Sequence, residues 1–169
     1  MPNGQKIITF AIPCYNSADY MDKCVESLLH AGDDTEIILI DDGSTDRTPE
    51  IADAYAEKYP EKIRVIHQEN GGHGEGVNQG LRHASGLFYK VVDSDDRLDP
   101  AALEKLLCRM REHIAENKMV DMYVCNYVYD HWDGSERKVM RYNNVFPEEK
   151  IVTWDDTRRF LVTQYLMMH

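Results

Sequence analysis

Two stretches of this chain leave little freedom in how it folds. Lys6-Ile7-Ile8-Thr9-Phe10-Ala11-Ile12 and Glu36-Ile37-Ile38-Leu39-Ile40 are nearly continuous apolar runs rich in β-branched residues. A strand with one wet face alternates polar and apolar residues. A run without that alternation suits a strand covered on both faces, as in a parallel sheet. Each run ends in a loop of special composition: Pro13-Cys14-Tyr15-Asn16-Ser17 after the first, Asp41-Asp42-Gly43-Ser44-Thr45-Asp46 after the second.

Helical spacing fills the gaps between such runs. Met21, Cys24, Val25, Leu28 and Leu29 form one apolar stripe, with Gly32 as its stop. Thr48 is placed to cap a second helix, with Pro49 at its first position and Ile51, Ala54, Tyr55 and Tyr59 inward, before Pro60 ends it. Ile63–His67 reads as a third strand. Residues 71–76 hold four glycines and read as a loop, followed by a short helix from Val77 to Ala84 and a strand from Phe88 to Val92. Asp99 and Pro100 then open a long helix with Leu103, Leu106, Leu107, Met110 and Ile114 inward. Four strands alternating with four helices predict a right-handed parallel sheet with helices on both faces. Ligands of such sheets bind outside the carboxyl ends of the strands. The unusual loops, after Ile12, Ile40, His67 and Val92, all fall there.

Beyond Asn117 the pattern changes. Met119–Tyr129 alternates and is rich in aromatic residues, Asp133-Gly134 is a turn signal, and Lys138–Tyr142 reads as the hairpin partner. Val145–Val152 reads as loop. A helix is expected from Thr153 through Phe160, Leu161, Gln164, Tyr165 and Met168. The reading therefore divides the chain into an α/β region, 1–118, and the start of a second region, 119–169. That second region is expected to be incomplete, because the sequence stops at His169 with no closing element.

The chemistry concentrates in Val92-Asp93-Ser94-Asp95-Asp96, three carboxylates within four residues at a strand end. Such groups repel one another unless a cation or bound donors offset the charge, and Mg²⁺ and Mn²⁺ favour carboxylate oxygens. The plainer reading is a solvated turn before a helix, where Asp is stabilising anyway. A net charge of −11 argues against a nucleic-acid surface, and it means that an anionic substrate needs a cation between it and the protein. Cys14, Cys24, Cys108 and Cys125 contain no C-x-x-C pair, so neither zinc nor a disulfide framework is expected. The apolar run Ile7–Ile12 is too short for a signal or membrane segment, and the expectation is a reducing, cytoplasmic protein.

Tyr15 could stack on a nucleobase or simply pack in its loop. The glycine-rich segment would let backbone N–H groups approach phosphate, although it matches neither the Walker nor the dinucleotide pattern. His73 within it is either a phosphate donor or an exposed loop histidine, and the other histidines form no ligand pair. A phosphoacceptor signalling domain would also place aspartates at strand ends, but its acidic pair should follow the first strand rather than the second. A non-catalytic binding module is a third reading.

Taken together, Ile12-Pro13-Cys14-Tyr15-Asn16, Ile40-Asp41-Asp42-Gly43-Ser44-Thr45-Asp46, Asn70-x-Gly72, Asn78-x-Gly80, Ala84-Ser85-Gly86 and Val92-Asp93-Ser94-Asp95-Asp96 resemble the N-terminal half of family 2 glycosyltransferases. The resemblance covers about residues 7–100. It implies a GT-A, Rossmann-like fold and inverting transfer of a sugar from a UDP-sugar to a glycan or lipid-linked acceptor. It implies a cytoplasmic setting, up to a peripheral place at the inner membrane face. It also implies roles: Tyr15 against the base, Asp41 and Asp42 on base or ribose, and Asp93-Ser94-Asp95 as the D-x-D motif. In that motif Asp93 lies near the ribose, and Asp95 with Asp96 holds Mn²⁺ or Mg²⁺. Pro13, Asn16, Asn70, Gly72, Asn78 and Ser94 complete the substrate-binding set. Two departures stand out. Val77 occupies the place of an arginine, with Arg82 or His73 as substitutes, and no acidic motif for a catalytic base is recognised, which places the base beyond His169.

Overall fold

The computed structural model describes residues 4–130, 137–143 and 146–157. The chain divides into two compact units, Met1–Glu116 and Asn117–His169. The first unit alternates β1 (Ile8–Cys14), α1 (Met21–Leu29), β2 (Thr35–Asp42), α2 (Thr48–Lys58), β3 (Ile63–Gln68), α3 (His73–His83), β4 (Phe88–Val91) and α4 (Pro100–Ala115). Its sheet has the order β3-β2-β1-β4 with every pair parallel, the predicted α/β, Rossmann-like architecture.

The two apolar runs are the inner strands. Every residue of β1 is buried, and so are seven of the eight in β2. Each fully buried Ile, Leu or Phe there contributes about 1.5–3 kcal/mol relative to exposure, which is why these strands accept no polar alternation. Ala11, Ile38 and Ile40 cluster on one face with Ile66 and Tyr89. Helix α3 covers that face so closely that a Cβ on Gly80 would lie 2.6 Å from the Ala11 Cβ. On the other face, His67 of β3 bonds Asp53 of α2. Helices thus flank both sides. Helix α4 buries Leu103, Leu107 and Met110, and its carboxyl-terminal half is tied to the β1–β2 side by Arg111, whose guanidinium donates to both Asp34 oxygens at 2.7 Å.

Several local expectations change. Helix α3 begins at His73, not Val77, and so takes in Gly74 and Gly76. Glycine's low helix propensity is overridden by packing: a Cβ at Gly76 would press on Pro13 at 3.1 Å, and at Gly80 on Ala11 and Tyr89. Thr48 is the first residue of α2 rather than its cap. The Asp46 carboxylate accepts the Thr48 N–H, while the Thr48 hydroxyl accepts the N–H of Ser17. Asp99 caps α4 as expected, accepting the Ala102 N–H at 2.8 Å.

The second unit holds a short antiparallel hairpin, β5 (Tyr127–Tyr129) with β6 (Lys138–Met140), and a helical turn, α5 (Trp154–Thr157). The strand expected from Met119 is reduced to three residues. Alternation prepares a segment for pairing, but a strand forms only where a neighbour supplies backbone partners. The Asp133-Gly134 turn, Val145 and the helix continuation through Phe160, Leu161, Gln164, Tyr165 and Met168 lie outside the described residues.

Candidate active site

The strand order reverses direction between β1 and β4: the chain grows outward through β2 and β3 on one side, and β4 joins the other side of β1. Loops leaving β1 and β4 therefore diverge, and the crevice at their carboxyl ends is where open α/β sheets bind ligands. Tyr15, 51% exposed, stands on the β1 side. On the β4 side Val92 is still hydrogen-bonded to Ala11, and a turn follows in which the Asp96 N–H reaches the Asp93 carbonyl at 2.9 Å. In that turn Asp93, Asp95 and Asp96 are exposed, whereas Ser94 is 8% exposed.

The neighbouring β2 end is built differently. Asp42 is 3% exposed and cradled by three donors: the Gly71 and Gly72 N–H groups at 2.8 Å and the Gln68 amide at 2.6 Å. Burial alone would push its carboxyl up, but the hydrogen bonds from Gly71, Gln68 and Gly72 outweigh that effect and hold it below the usual carboxylate range. Gly72 meets Asp42 from a left-handed backbone conformation, φ +83°, which glycine adopts without cost. The glycine-rich segment thus spends two of its N–H groups on Asp42. Asp41 accepts the Ser44 N–H at 3.0 Å and bonds the His67 imidazole at 2.9 Å.

Asn16 staples the two loops together. Its side-chain oxygen accepts the Thr45 N–H at 2.8 Å, and its own N–H donates to the Ser44 hydroxyl at 3.0 Å. Pro13 is buried beneath Gly76. Asn70 is exposed with its backbone against Gly43, and Asn78 donates to Glu75 at 3.3 Å. The Ser94 hydroxyl is turned inward, 2.9 Å from that of Ser17. His73 reaches across from the first turn of α3, its Nε2 3.7 Å from Asp93. Arg82 is engaged by Glu75 at 2.6 Å, whereas the His73 ring is the one that reaches the acidic turn.

Sequence reading passed over Ser17, Gln68 and His67. His67 stands directly across from Asp41 in the parallel register, a pairing that no sequence pattern marks. The buried thiols of Cys14 and Cys24 are pushed up by burial, that of Cys24 to about 12, and so are no nucleophiles.

For a hard cation the acidic turn offers oxygen donors only. Burial, followed by the charges of Asp95 and Asp93, raises the Asp96 carboxyl above its usual range. Among the described residues no three His, Cys, Asp or Glu side chains converge on one point. The donor set fits an ion held by one or two carboxylates that takes its remaining ligands from a phosphate-bearing substrate.

Comparison with known proteins bears on what the crevice serves. The family model described as glycosyl transferase family 2 matches residues 9–169. The chain belongs to glycosyl transferase family 2. Among its family 2 relatives, the glycosyltransferase GlyG of Streptococcus pneumoniae is 38% identical over 133 residues, 77% of this chain and 42% of GlyG. The hyaluronan synthase of Pasteurella multocida is 33% identical over 125 residues, 73% of this chain and 12% of that protein. The crystal structure of S. aureus TarS with UDP-GlcNAc aligns at a TM-score of 0.54 and 31% identity, covering 64% of this chain and 32% of TarS. That likeness agrees with the GT-A fold expected for family 2. The match removes the phosphoacceptor alternative. The chain spans less than half the length of these relatives. Among the described residues no helix is long and apolar enough to cross a membrane.

Proposed function

We propose that residues 1–118 bind the nucleotide half of a UDP-sugar, whose sugar passes with inversion to a hydroxyl of a glycan or lipid-linked acceptor. The observation that carries this reading is the switch in strand order between β1 and β4, with exposed Tyr15 in the loop that leaves β1 and exposed Asp93 and Asp95 in the loop that leaves β4. The TarS structures with UDP and with UDP-GlcNAc support a uridine nucleotide. Tyr15 stacks on the base, Asp41 and Asp42 order the loops facing base and ribose, and Asp93 takes the ribose. Asp95 with Asp96 holds Mn²⁺ or Mg²⁺.

The chain's own residues do three things in this scheme. The Asp42 cradle fixes the first turn of α3 beside the crevice. Asn16 locks the β1 and β2 loops so that Tyr15 presents its face. The acidic turn gathers three neighbouring carboxyl groups that repel one another unless a cation offsets their charge. A bound divalent cation would neutralise the diphosphate as UDP departs. A carboxylate base takes the proton of the acceptor hydroxyl, whose oxygen bonds the anomeric carbon as the bond to UDP breaks on the opposite face. Every carboxylate at these strand ends is assigned to nucleotide, metal or loop, so the base comes from elsewhere, with the acceptor side. A peripheral place at the inner face of a membrane suits a lipid-linked acceptor.

Thermal unfolding with UDP, with and without Mn²⁺, tests the reading. A ligand at a hundred times its dissociation constant stabilises by about 2.7 kcal/mol. No shift with any nucleoside diphosphate at millimolar concentration would sink it.

A further inference from the structure

Ser17 joins the two walls of the crevice. It is fully buried, and all of its polar groups are used. Its carbonyl accepts the N–H groups of Tyr20 and Met21 at 3.1 and 3.0 Å, launching α1, and its N–H donates to Thr48 at 2.7 Å. Its hydroxyl accepts the Tyr15 N–H at 3.2 Å and lies 2.9 Å from the Ser94 hydroxyl. One atom therefore touches both the loop that carries Tyr15 and the centre of the acidic turn.

The same segment holds the turn at two further points. The Cys24 thiol reaches the Asp93 carbonyl at 3.5 Å, and the Ser27 hydroxyl accepts the Leu98 N–H at 3.1 Å. Three neighbouring carboxylates repel one another, and these contacts tie their turn to α1. Ser94 is the inward residue between two outward aspartates. Its hydroxyl has Ser17 as partner, and a buried hydroxyl without one is destabilising. The bridge therefore favours the inward orientation of Ser94.

We infer that Ser17 is a positioning residue which, through Ser94, ties the nucleobase wall to the metal-binding turn and so carries part of the metal-dependent gain in UDP affinity. This rests on the donor-site reading above. A single neutral hydrogen bond limits the part of the coupling it carries to about tenfold.

The test is the ratio of UDP affinities with and without Mn²⁺, measured by calorimetry on this chain and its variants. Ser94→Ala and Ser17→Ala are each expected to cut the metal-dependent gain about tenfold, the double variant no further, and Ser94→Cys to restore part of it. A purely structural role would lower the melting temperature and leave the ratio alone. No UDP binding by the unaltered chain overturns the donor-site reading and this inference together. UDP binding with a full metal-dependent gain in Ser94→Ala overturns the inference alone, as do additive losses in the double variant. Should Ser17→Ala not fold, Ser94→Ala and Ser94→Cys decide.

Discussion

Asp41 and Asp42 are adjacent in the chain and serve opposite faces of the sheet. Successive strand residues point to opposite sides. Asp41 accordingly meets His67 on the α2 face, while Asp42 meets Gln68 and the Gly71 and Gly72 N–H groups at the start of α3. The pair is thus two anchors, one for each layer of helices.

The Asp42 anchor predicts a large effect from a small change. Asp42→Asn keeps the shape and one acceptor oxygen, but removes the negative charge and sets its amide N–H2 against a donor where the second oxygen stood. A loss of about 3 kcal/mol is expected, read as a lowered midpoint in urea, together with weakened UDP binding. A variant as stable as the parent would show that the cradle is dispensable.

His67 predicts a pH dependence. Its hydrogen bond to Asp41, aided by that to Asp53, outweighs burial and raises the imidazole above its ordinary 6.5. A raised folded value means stability fully present below about pH 6.5 and lost as pH rises through the higher folded value. The ring is 45% exposed, so solvent screening limits the effect to about 1 kcal/mol. Unfolding measured from pH 5 to 9 should show this decline, and His67→Gln should flatten it.

Asp96 predicts a trade between stability and binding. Its carboxyl is raised by burial and by Asp95 and Asp93, so ionisation is penalised in the folded state. Without metal, that penalty is absent below the usual carboxylate range and grows as pH rises through the raised value. Asp96→Asn should raise metal-free stability at neutral pH, by no more than about 0.5 kcal/mol after solvent screening, and weaken the Mn²⁺-dependent part of UDP binding. A destabilised, metal-competent variant would reverse both assignments.

The glycines of α3 should separate by position. Gly80→Ala would place a methyl 2.6 Å from the Ala11 Cβ and 2.7 Å from the Tyr89 hydroxyl, so about 1–3 kcal/mol of overpacking should exceed the gain in helix propensity. Gly74→Ala meets nothing within 4 Å and should stabilise by about 0.5 kcal/mol. Denaturant midpoints of the two variants, moving in opposite directions, would check the packing of α3 on the sheet.

The four parallel strands, their sheet and the family were legible in the chain itself, whereas the strand expected from Met119 was not. Ile7–Ile12 and Glu36–Ile40 can be buried only on both faces, and the Asp99-Pro100 start of α4 needs only local rules. These features depend on neighbours a few residues apart, where periodicity and propensity act directly. Only the tertiary structure decided that the glycine-rich segment is the first turn of α3, that Ser94 faces inward, and that His67 has a carboxylate on each side. Each depends on distances between strand ends 26 to 77 residues apart in the chain, as with His67 and Asp41 or Ser17 and Ser94. Such distances exist only once four parallel strands have set their ends side by side.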